Sequence, residues 1–390
     1  MTRALKFATQ IVEALKDAGY IAYFAGGWVR DFVMGHPSDD IDIATSASPR
    51  EILELFPGGS HVGIAFGVVV VPIDGIIFEV ATFRKDFEYH DGRRPVGFAL
   101  ATPEDDAKRR DFTINGMFYD PISEKIYDFV KGLEDIEKKC IQTIGSPDER
   151  FKEDRLRLIR AIRFANRFDF SIAQETWDAI CTHAHTLFPA VAVERVWQEW
   201  QKMAKGANFE KALLDLDASG LLSEIFPELK GVRIQPIAIP EGSPAIFSVM
   251  QLFPDATVEK VEEICLRLKT STKELKQAKL LMKGRELLTK KNPDLVDLVY
   301  FFADPLAEAT LAMVEVEYGM AFPHHKLSRE NLMPHIQRVI KKSPLIRSSD
   351  LMEAGINPGV EMGQLLEKAE RIAITQDLHD PKPILNQLFP

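Results

Sequence analysis

Cysteine is scarce in this chain. There are three, Cys140, Cys181 and Cys265, odd in number and far apart. That excludes a disulfide-stapled scaffold and leaves no zinc-binding spacing. It suits a reducing cytoplasm, the expected location. Long apolar runs are missing too. The most apolar window, Val62 to Ala81, is broken by Pro72 and Asp74, so no membrane span is expected. Met1 to Lys16 follows a charged, amphipathic helix pattern where a secretory signal would be apolar. Positive charge is not in excess, since the formal net charge is −10. That argues against indiscriminate nucleic-acid binding, although a local basic surface can still hold RNA. No repeat of fixed period runs through the chain. What is present is a soluble globular composition, 46% apolar and 27% charged over 390 residues, enough for roughly two to four compact units.

One stretch organises the rest. Ile21 to Ala25 reads as a strand that ends on Gly26-Gly27. Glycine lets a backbone approach a phosphate closely. A short helical segment carrying Arg30 and Asp31 follows, then the acidic strand Asp39-Asp40-Ile41-Asp42-Ile43. Alternation puts Asp40 and Asp42 on one face. Neighbouring carboxylates repel unless a cation lies between them. The simplest is Mg²⁺, a hard ion that shares oxygen ligands with substrate phosphates. The combination points to phosphoryl or nucleotidyl transfer. Taken alone, it also fits a tight turn beside a surface acidic cluster.

In chain order, residues 3 to 18 read as an amphipathic helix. Ser48-Pro49-Arg50-Glu51 opens another, with a capping pattern and Pro in its first turn. Gly67–Ile73 and Ile76–Phe83 are β-rich runs joined by Asp74-Gly75, a hairpin signal. Glu79 sits inside the second run, and a third carboxylate facing the metal pair would explain it. Lys85 to Asp106 is a long polar stretch, expected as a functional loop. Phe112 to Tyr119 and Lys125 to Val130 read as strands. The fold class is therefore α+β, a small mixed sheet flanked by helices. After Gly145-Ser146-Pro147 the period becomes helical, over residues 148–168, 172–186, 193–204 and 206–219. A linker is expected over 230–245 and helices from 257 onward. The expected divisions are 1–147, 148–230 and 231–390.

Further side chains suit a nucleotide. Arg109-Arg110-Asp111 offers two cations for a triphosphate and an acceptor for a ribose hydroxyl. As a single charged helix face, Asp154, Arg157, Arg160 and Arg163 fall on one slanting row with net positive charge. Asp154 and Arg157 allow a sharper reading. Cytosine and adenine present an amino donor beside a ring-nitrogen acceptor, whereas guanine and uracil present a carbonyl beside an N–H. A carboxylate only accepts and a guanidinium only donates. A fixed Asp–Arg pair thus matches C and A without a template. Solvated charged turns and helix faces are the plain alternatives. The lysines at 269, 273, 276, 279 and 283, and the basic residues of His324–Arg347, suit an RNA backbone or a solvated face equally. His183 and His185 read as structural, and His379-Asp380 has no evident partner ligands.

Together, Gly26-Gly27-x-Val29-Arg30-Asp31, Asp40-x-Asp42, Arg109-Arg110-Asp111-Phe112-Thr113-Ile114-Asn115 and Glu153-Asp154-x-x-Arg157-x-x-Arg160-Ala161-x-Arg163-Phe164 resemble the motifs of the class II tRNA nucleotidyltransferases and bacterial poly(A) polymerases. Their order and spacing match over residues 20–168. The remainder resembles the family's neck, body and tail in being helical. The resemblance implies a polymerase-β-like nucleotidyltransferase head and Mg²⁺ on Asp40 and Asp42. It implies a phosphate-binding turn at Gly27 and Arg30, nucleotide contacts at Arg110, Arg160 and Arg163, and a ribose contact at Asp111. CTP and ATP selection falls on Asp154 and Arg157. Gly116 stands where many relatives have a small alanine. Asp91-Gly92-Arg93-Arg94 in the polar loop favours addition of A, and His61–Val68 looks more like the CCA-adding group than the poly(A) polymerases. The reaction implied is template-independent addition of CCA to the 3′ end of tRNA from CTP and ATP, releasing pyrophosphate, with no protein partner evident. An A-adding enzyme, a poly(A) polymerase and a catalytically silent RNA-binding module are the alternatives.

Overall fold

The computed structural model describes residues 2–36, 38–60, 67–86 and 98–389, the side chains of Asp86, Phe98, Pro323, His325 and Lys326 excepted. Asp91–Arg94 and His61–Phe66, on which two expectations above rest, lie outside the described residues. The chain divides into two compact units, Met1–Ile234 and Gln235–Pro390.

The first unit opens on α1 (Arg3–Asp17), then β1 (Ala22–Ala25), α2 (Gly27–Val33), β2 (Asp42–Thr45), α3 (Pro49–Leu55), β3 (Val68–Ile73) and β4 (Ile76–Thr82). Next come β5 (Arg84–Asp86), β6 (Phe98–Leu100), α4 (Pro103–Lys108), β7 (Met117–Asp120) and β8 (Lys125–Asp128). Six strands form one sheet in the order β3-β4-β2-β1-β7-β8. Neighbours run antiparallel except β2 and β4, which are parallel. A parallel pair needs a crossover, and the connection through α3 and β3 supplies it. The Asp74-Gly75 hairpin forms with Ile73 opposite Ile76. Ser48 and Glu51 make the expected capping box of α3.

α1 buries Ala4, Ala8, Ile11, Val12 and Leu15, a stripe at helical spacing, against Phe24, Ile43, Val69, Phe78 and Val80. Each fully buried Leu or Ile contributes about 1.5–3 kcal/mol, so Ile11→Asp would break this layer. The opposite sheet face carries a smaller cluster. Ala25 and Ala44 sit there with Phe83, Ala107 and Phe118. Asp42 shares a face with Ala44, so this more open face is where the acidic residues emerge.

Two expectations change around the sheet. Thr113–Asn115 is a 3₁₀ turn, and the strand expected from Phe112 begins only at Met117. The Asp111 carboxylate accepts from the Phe112 N–H at 2.8 Å and from Asn115 Nδ2 at 3.0 Å. These local bonds compete with a ladder. The long polar stretch is not all loop. β5 and β6 pair antiparallel at its base, and α4 follows with a Thr102–Asp105 capping box.

The chain continues through α5 (Gly132–Glu137), β9 (Cys140–Ile141), α6 (Pro147–Glu153), α7 (Leu156–Phe168), β10 (Ser171–Ile172), α8 (Gln174–His183), α9 (Val193–Ala204), α10 (Phe209–Ala218) and α11 (Leu221–Ile225). The single helix expected over 148–168 is broken. Asp154 is extended, with φ −144° and ψ 105°. Its carboxylate accepts from the Leu156 N–H at 3.0 Å and starts α7. Short acidic side chains favour such end positions over helix interiors.

The second unit is helical: α12 (Ala245–Met250), α13 (Val258–Arg267), α14 (Thr272–Thr289), α15 (Leu295–Phe302), α16 (Ala307–Tyr318), α17 (Pro323–Asn331), α18 (Met333–Ile340), α19 (Ser348–Glu353), α20 (Val360–Thr375) and α21 (Pro381–Leu388). α14 and α16 approach closely at Gly284, where a Cβ would lie 2.5 Å from Thr310 Cγ2. Nearby, the buried Arg285 guanidinium pairs with Glu317 at 2.5 and 2.7 Å and donates to the Met250 carbonyl at 2.9 Å. No described helix is long and apolar enough to cross a membrane.

Candidate active site

A cleft of about 370 Å³ in the first unit is lined by Gly26, Gly27, Arg30, Asp42, Arg109, Arg110, Asp111, Asn115, Asp154, Leu156, Arg157, Arg160, Phe164 and Arg195. Of the residues expected at the site, Gly26, Gly27, Arg30, Asp42, Arg110, Asp111, Asp154, Arg157 and Arg160 meet in this one cavity. Asp40, Glu79 and Arg163 are not among its lining residues.

Gly26 ends β1 with φ +65°, a region that side chains rarely adopt. A Cβ there would lie 2.8 Å from Arg110 Nη1 and 4.0 Å from Asp42 Oδ2. The close approach needs glycine. Arg30 is 3% exposed. It holds Asp31 at 2.7 Å and Asn115 Oδ1 at 2.5 Å, and stacks 4.5 Å over the Phe168 ring. Burial lowers its pKa, and Asp31 opposes that shift.

Asp42 begins β2. Extending the parallel register by one step from Ile43 opposite Val80 sets Asp42 beside Glu79. Asp40 lies just before the strand, and all three carboxylates are exposed. The Asp42 pKa is pushed up to about 6, first by desolvation, then by Asp40 and Glu79, against a pull from Arg110. Asp42 remains open to solvent, so its desolvation comes from protein crowded around the cleft mouth. The three carboxylates do not converge tightly. Among the described residues, the one trio of His, Cys, Asp or Glu with ligand atoms within 4.8 Å of one another is His335, Asp377 and His379.

Arg109 and Arg110 both lean on Asp106, which sequence reasoning missed. Asp106 is 1% exposed and accepts from Arg109 Nε at 2.8 Å and from Arg110 Nε and Nη2 at 3.2 and 3.1 Å. Burial pushes its pKa up, but the two guanidiniums bring it below the ordinary value. Its place three and four residues before the arginines, on a helix, was the signal.

Asp111 receives Arg160 Nε and Nη2 at 2.9 and 2.6 Å on one oxygen. The other takes the Phe112 N–H and Asn115. Burial raises its pKa and Arg160 and Asn115 outweigh that, holding it well below the usual carboxylate range. Both oxygens thus have protein partners, and Asp111 orients Arg160. Arg163 instead turns away, to Glu199 at 2.5 Å and over the Phe164 ring at 4.0 Å.

Asp154 and Arg157 line the cleft together, but each is held by another residue. Arg195 on α9 forks onto Asp154, with Nη2 3.0 Å from Oδ2 and Nη1 3.4 Å from Oδ1. Arg157 donates from Nη1 to Glu153 Oε2 at 2.7 Å and the Arg150 carbonyl at 3.0 Å, and from Nη2 to the Arg109 carbonyl at 3.0 Å. Because Asp154 sits at the helix break, it is not on the arginine row expected of a continuous helix. Arg195 and Glu199 were missed, as nothing local to Asp154 or Arg163 marks partners 41 and 36 residues along the chain.

Elsewhere, the expected RNA-facing lysine row is partly compensated. Lys269 precedes α14, Lys279 pairs with Glu262, and Lys283 lies 3.1 Å from Asp297. Arg329 pairs with Glu308 and Arg338 with Glu370. His183 lies 2.6 Å from Asp148. His379 gains His335 and Asp377 as neighbours. His335 Nδ1 accepts from Arg338 Nη2 at 2.8 Å, so its proton lies on Nε2, 3.0 Å from Asp377. Burial lowers its pKa, and the bond to Asp377 opposes that shift. A metal on Nε2 would turn Nδ1–H against a guanidinium, so the trio reads as a structural polar lock.

Known proteins resemble this chain over nearly its whole length. Residues 22–142 match the model described as "Poly A polymerase head domain". Residues 169–232 match "Probable RNA and SrmB- binding site of polymerase A". The CCA-adding enzyme of Lactobacillus delbrueckii subsp. bulgaricus is 34% identical over 379 residues, covering 95% of this chain and 93% of that protein. The CCA-adding enzyme of Bacillus pumilus is 40% identical over 285 residues, covering 71% and 70%. The crystal structure of the Bacillus stearothermophilus CCA-adding enzyme in complex with CTP superposes with a TM-score of 0.74 at 27% identity, over 99% of this chain and 98% of that one. With a head-domain match and relatives at 34% identity over nearly their full length, the chain belongs to the CCA-adding enzyme family.

Proposed function

We propose that this chain adds C, C and A in turn to the 3′ end of tRNA, taking CTP and ATP and using no template. The observation that carries the reading is the meeting of an acceptor, Asp154, and a donor, Arg157, in the cleft that also holds Asp42 and five further arginines. The terminal ribose hydroxyl would attack the α-phosphate. A bond forms from that oxygen to phosphorus, the bond to the β-phosphate oxygen breaks, and pyrophosphate leaves.

Gly26 and Gly27 admit the triphosphate close to the backbone. Arg110 and Arg160, with Arg109 beside them, position its oxygens. Asp154 accepts from the base amino group and Arg157 donates to the ring nitrogen. Arg163 supports the cleft through Phe164 and Glu199. The raised pKa of Asp42 and the exposed, hard oxygen donors of Asp40 and Glu79 fit a divalent cation better than they fit one another. Asp40 and Asp42 would hold Mg²⁺, with Glu79 beside them, and the ion when bound would neutralise the triphosphate and lower the hydroxyl pKa. The scattered free thiols suit a cytoplasmic enzyme.

The test is extension of three tRNA transcripts, ending before CCA, after C and after CC, each given CTP, ATP or both with Mg²⁺. Ordered addition of C, C and A that then stops supports the reading. Addition of A to the CC end alone, or long A tails on any RNA, would replace it with an A-adding enzyme or a poly(A) polymerase. No extension would leave an RNA-binding module.

A further inference from the structure

Asp154 and Arg157 are expected to read a base as a pair, yet each makes its strongest contacts elsewhere. Two flexible side chains read a base well only if they cannot turn away from it. A freely rotating carboxylate has about four lone-pair sites and could meet an imino N–H as readily as an amino group. What fixes it decides what it can recognise.

Three of those four sites on Asp154 are filled. The Leu156 N–H takes one site on Oδ1 at 3.0 Å. The Arg195 fork takes a second on Oδ1, at 3.4 Å, and one on Oδ2, at 3.0 Å. One acceptor site on Oδ2 is left. Arg157 is limited in the same way. Its Nη1 hydrogens go to Arg150 O and Glu153 Oε2, and one Nη2 hydrogen goes to Arg109 O. Among the described residues this leaves one Nη2 hydrogen and Nε–H. The result is a narrow reader, with one acceptor beside a donor edge. That is the complement of cytosine N4–H/N3 and of adenine N6–H/N1. Uracil and guanine set a carbonyl against the acceptor and an N–H against the donor.

We propose that Arg195 is a positioning residue for nucleotide selection, acting through Asp154. It stands on α9, 41 residues away in sequence, and spans the α6–α7 break to reach the carboxylate. Its planar fork holds both oxygens at once, which a lysine cannot do. Glu153 plays the corresponding part for Arg157. The inference rests on the base-reading role given to Asp154 above.

The test compares Arg195→Met, Arg195→Lys and Asp154→Ala with the unaltered enzyme. The readout is kcat/KM for single additions from CTP, UTP, ATP and GTP on the matching tRNA ends, with KM and kcat separated and thermal stability measured alongside. A directed hydrogen-bond pair to a base edge discriminates by roughly tenfold to a hundredfold. Arg195→Met is expected to lower the CTP/UTP and ATP/GTP ratios by that factor through losses on C and A. Arg195→Lys should keep charge but lose the fork and fall between. A general structural defect would lower all four nucleotides together. The proposal is overturned if Asp154→Ala loses discrimination while both Arg195 variants keep the original ratios. If Arg195→Met does not fold, Arg195→Lys decides, and original ratios in it overturn the fork. If Asp154→Ala leaves the ratios unchanged, the base-reading role itself fails, and this inference with it.

Discussion

Asp106 offers the sharpest test of how the cleft is held together. Its carboxylate is 1% exposed and meets both Arg109 and Arg110, whose side chains keep 21% and 19% of their exposure. It also accepts from the Arg84 N–H at 3.2 Å. Asp106→Asn keeps the shape and removes the charge. Removing one partner of a buried pair costs about 3–5 kcal/mol, because the remaining charge stays desolvated. Here the two guanidiniums retain some water, so the lower end, about 3 kcal/mol, applies. In a unit of this size that lowers Tm by about 6–12 °C, measured by circular dichroism. The folded pKa of Asp106 is depressed, so its stabilisation is complete above the unfolded value near 4 and is lost as pH falls through the folded value. The Tm gap between the two proteins should therefore be equal at neutral and mildly acidic pH and close only below about pH 4. Arg110, freed from Asp106, would swing across Gly26, and KM for the nucleotide should rise about tenfold. A variant that melts within about 2 °C of the original with the same KM would refute the account of Asp106 as the common anchor.

The remaining predictions concern other contacts. Asp40→Ala combined with Asp42→Ala should abolish extension while leaving the fold intact; persisting extension would show that the carboxylates hold no catalytic ion. Asp42→Asn alone should stabilise the metal-free protein. The Asp42 pKa is raised in the fold, so the gain appears above about pH 6, disappears near pH 4 and stays under about 1 kcal/mol once solvent screening is counted; an unchanged melting curve at pH 8 would refute it. At Gly116 an added Cβ would lie 2.6 Å from Val130 Cγ2 and 3.0 Å from Ile144 Cδ1. Gly116→Ala should cost about 1–3 kcal/mol, and Val130→Ala in the same chain should recover most of it, as read by denaturant midpoint. Glu199→Gln strands the buried Arg163 and should cost about 3–5 kcal/mol, while Arg163→Met with Glu199→Leu should cost much less; equal losses would mean that the pair is not what matters there.

The head was legible because its signals are local. The Asp74-Gly75 turn, the α3 capping box and the α1 stripe each lie within a few residues, and so do the glycines and acids of the phosphate turn. What escaped depends on distant or competing partners. The helix break at Asp154 was hidden because its neighbours all have helical spacing, and only the side-chain bond to Leu156 decides against continuity. The 3₁₀ turn before β7 arises from Asp111 capturing two local donors in a stretch of strand-forming residues. Asp106 did carry a local signal, its spacing of three and four residues from Arg109 and Arg110. Arg195 and Glu199 carry none and become visible only when the fold brings them against Asp154 and Arg163. The lysine row shows the reverse error, since a basic face in sequence is partly cancelled by acids from neighbouring helices.

Every arginine lining the cleft already has an acidic partner. Arg30 has Asp31, Arg109 and Arg110 share Asp106, Arg157 has Glu153, Arg160 has Asp111 and Arg195 has Asp154. An arriving triphosphate therefore does not fall onto bare charge. It would share those cations with the carboxylates behind them, which would keep the guanidiniums in place when pyrophosphate departs. A cleft that shares its cations in this way would grip its anion less tightly and would even out the energies of the filled and emptied states. For a protein that must empty and refill one pocket at each successive addition, ease of turnover is a more useful property than tight retention.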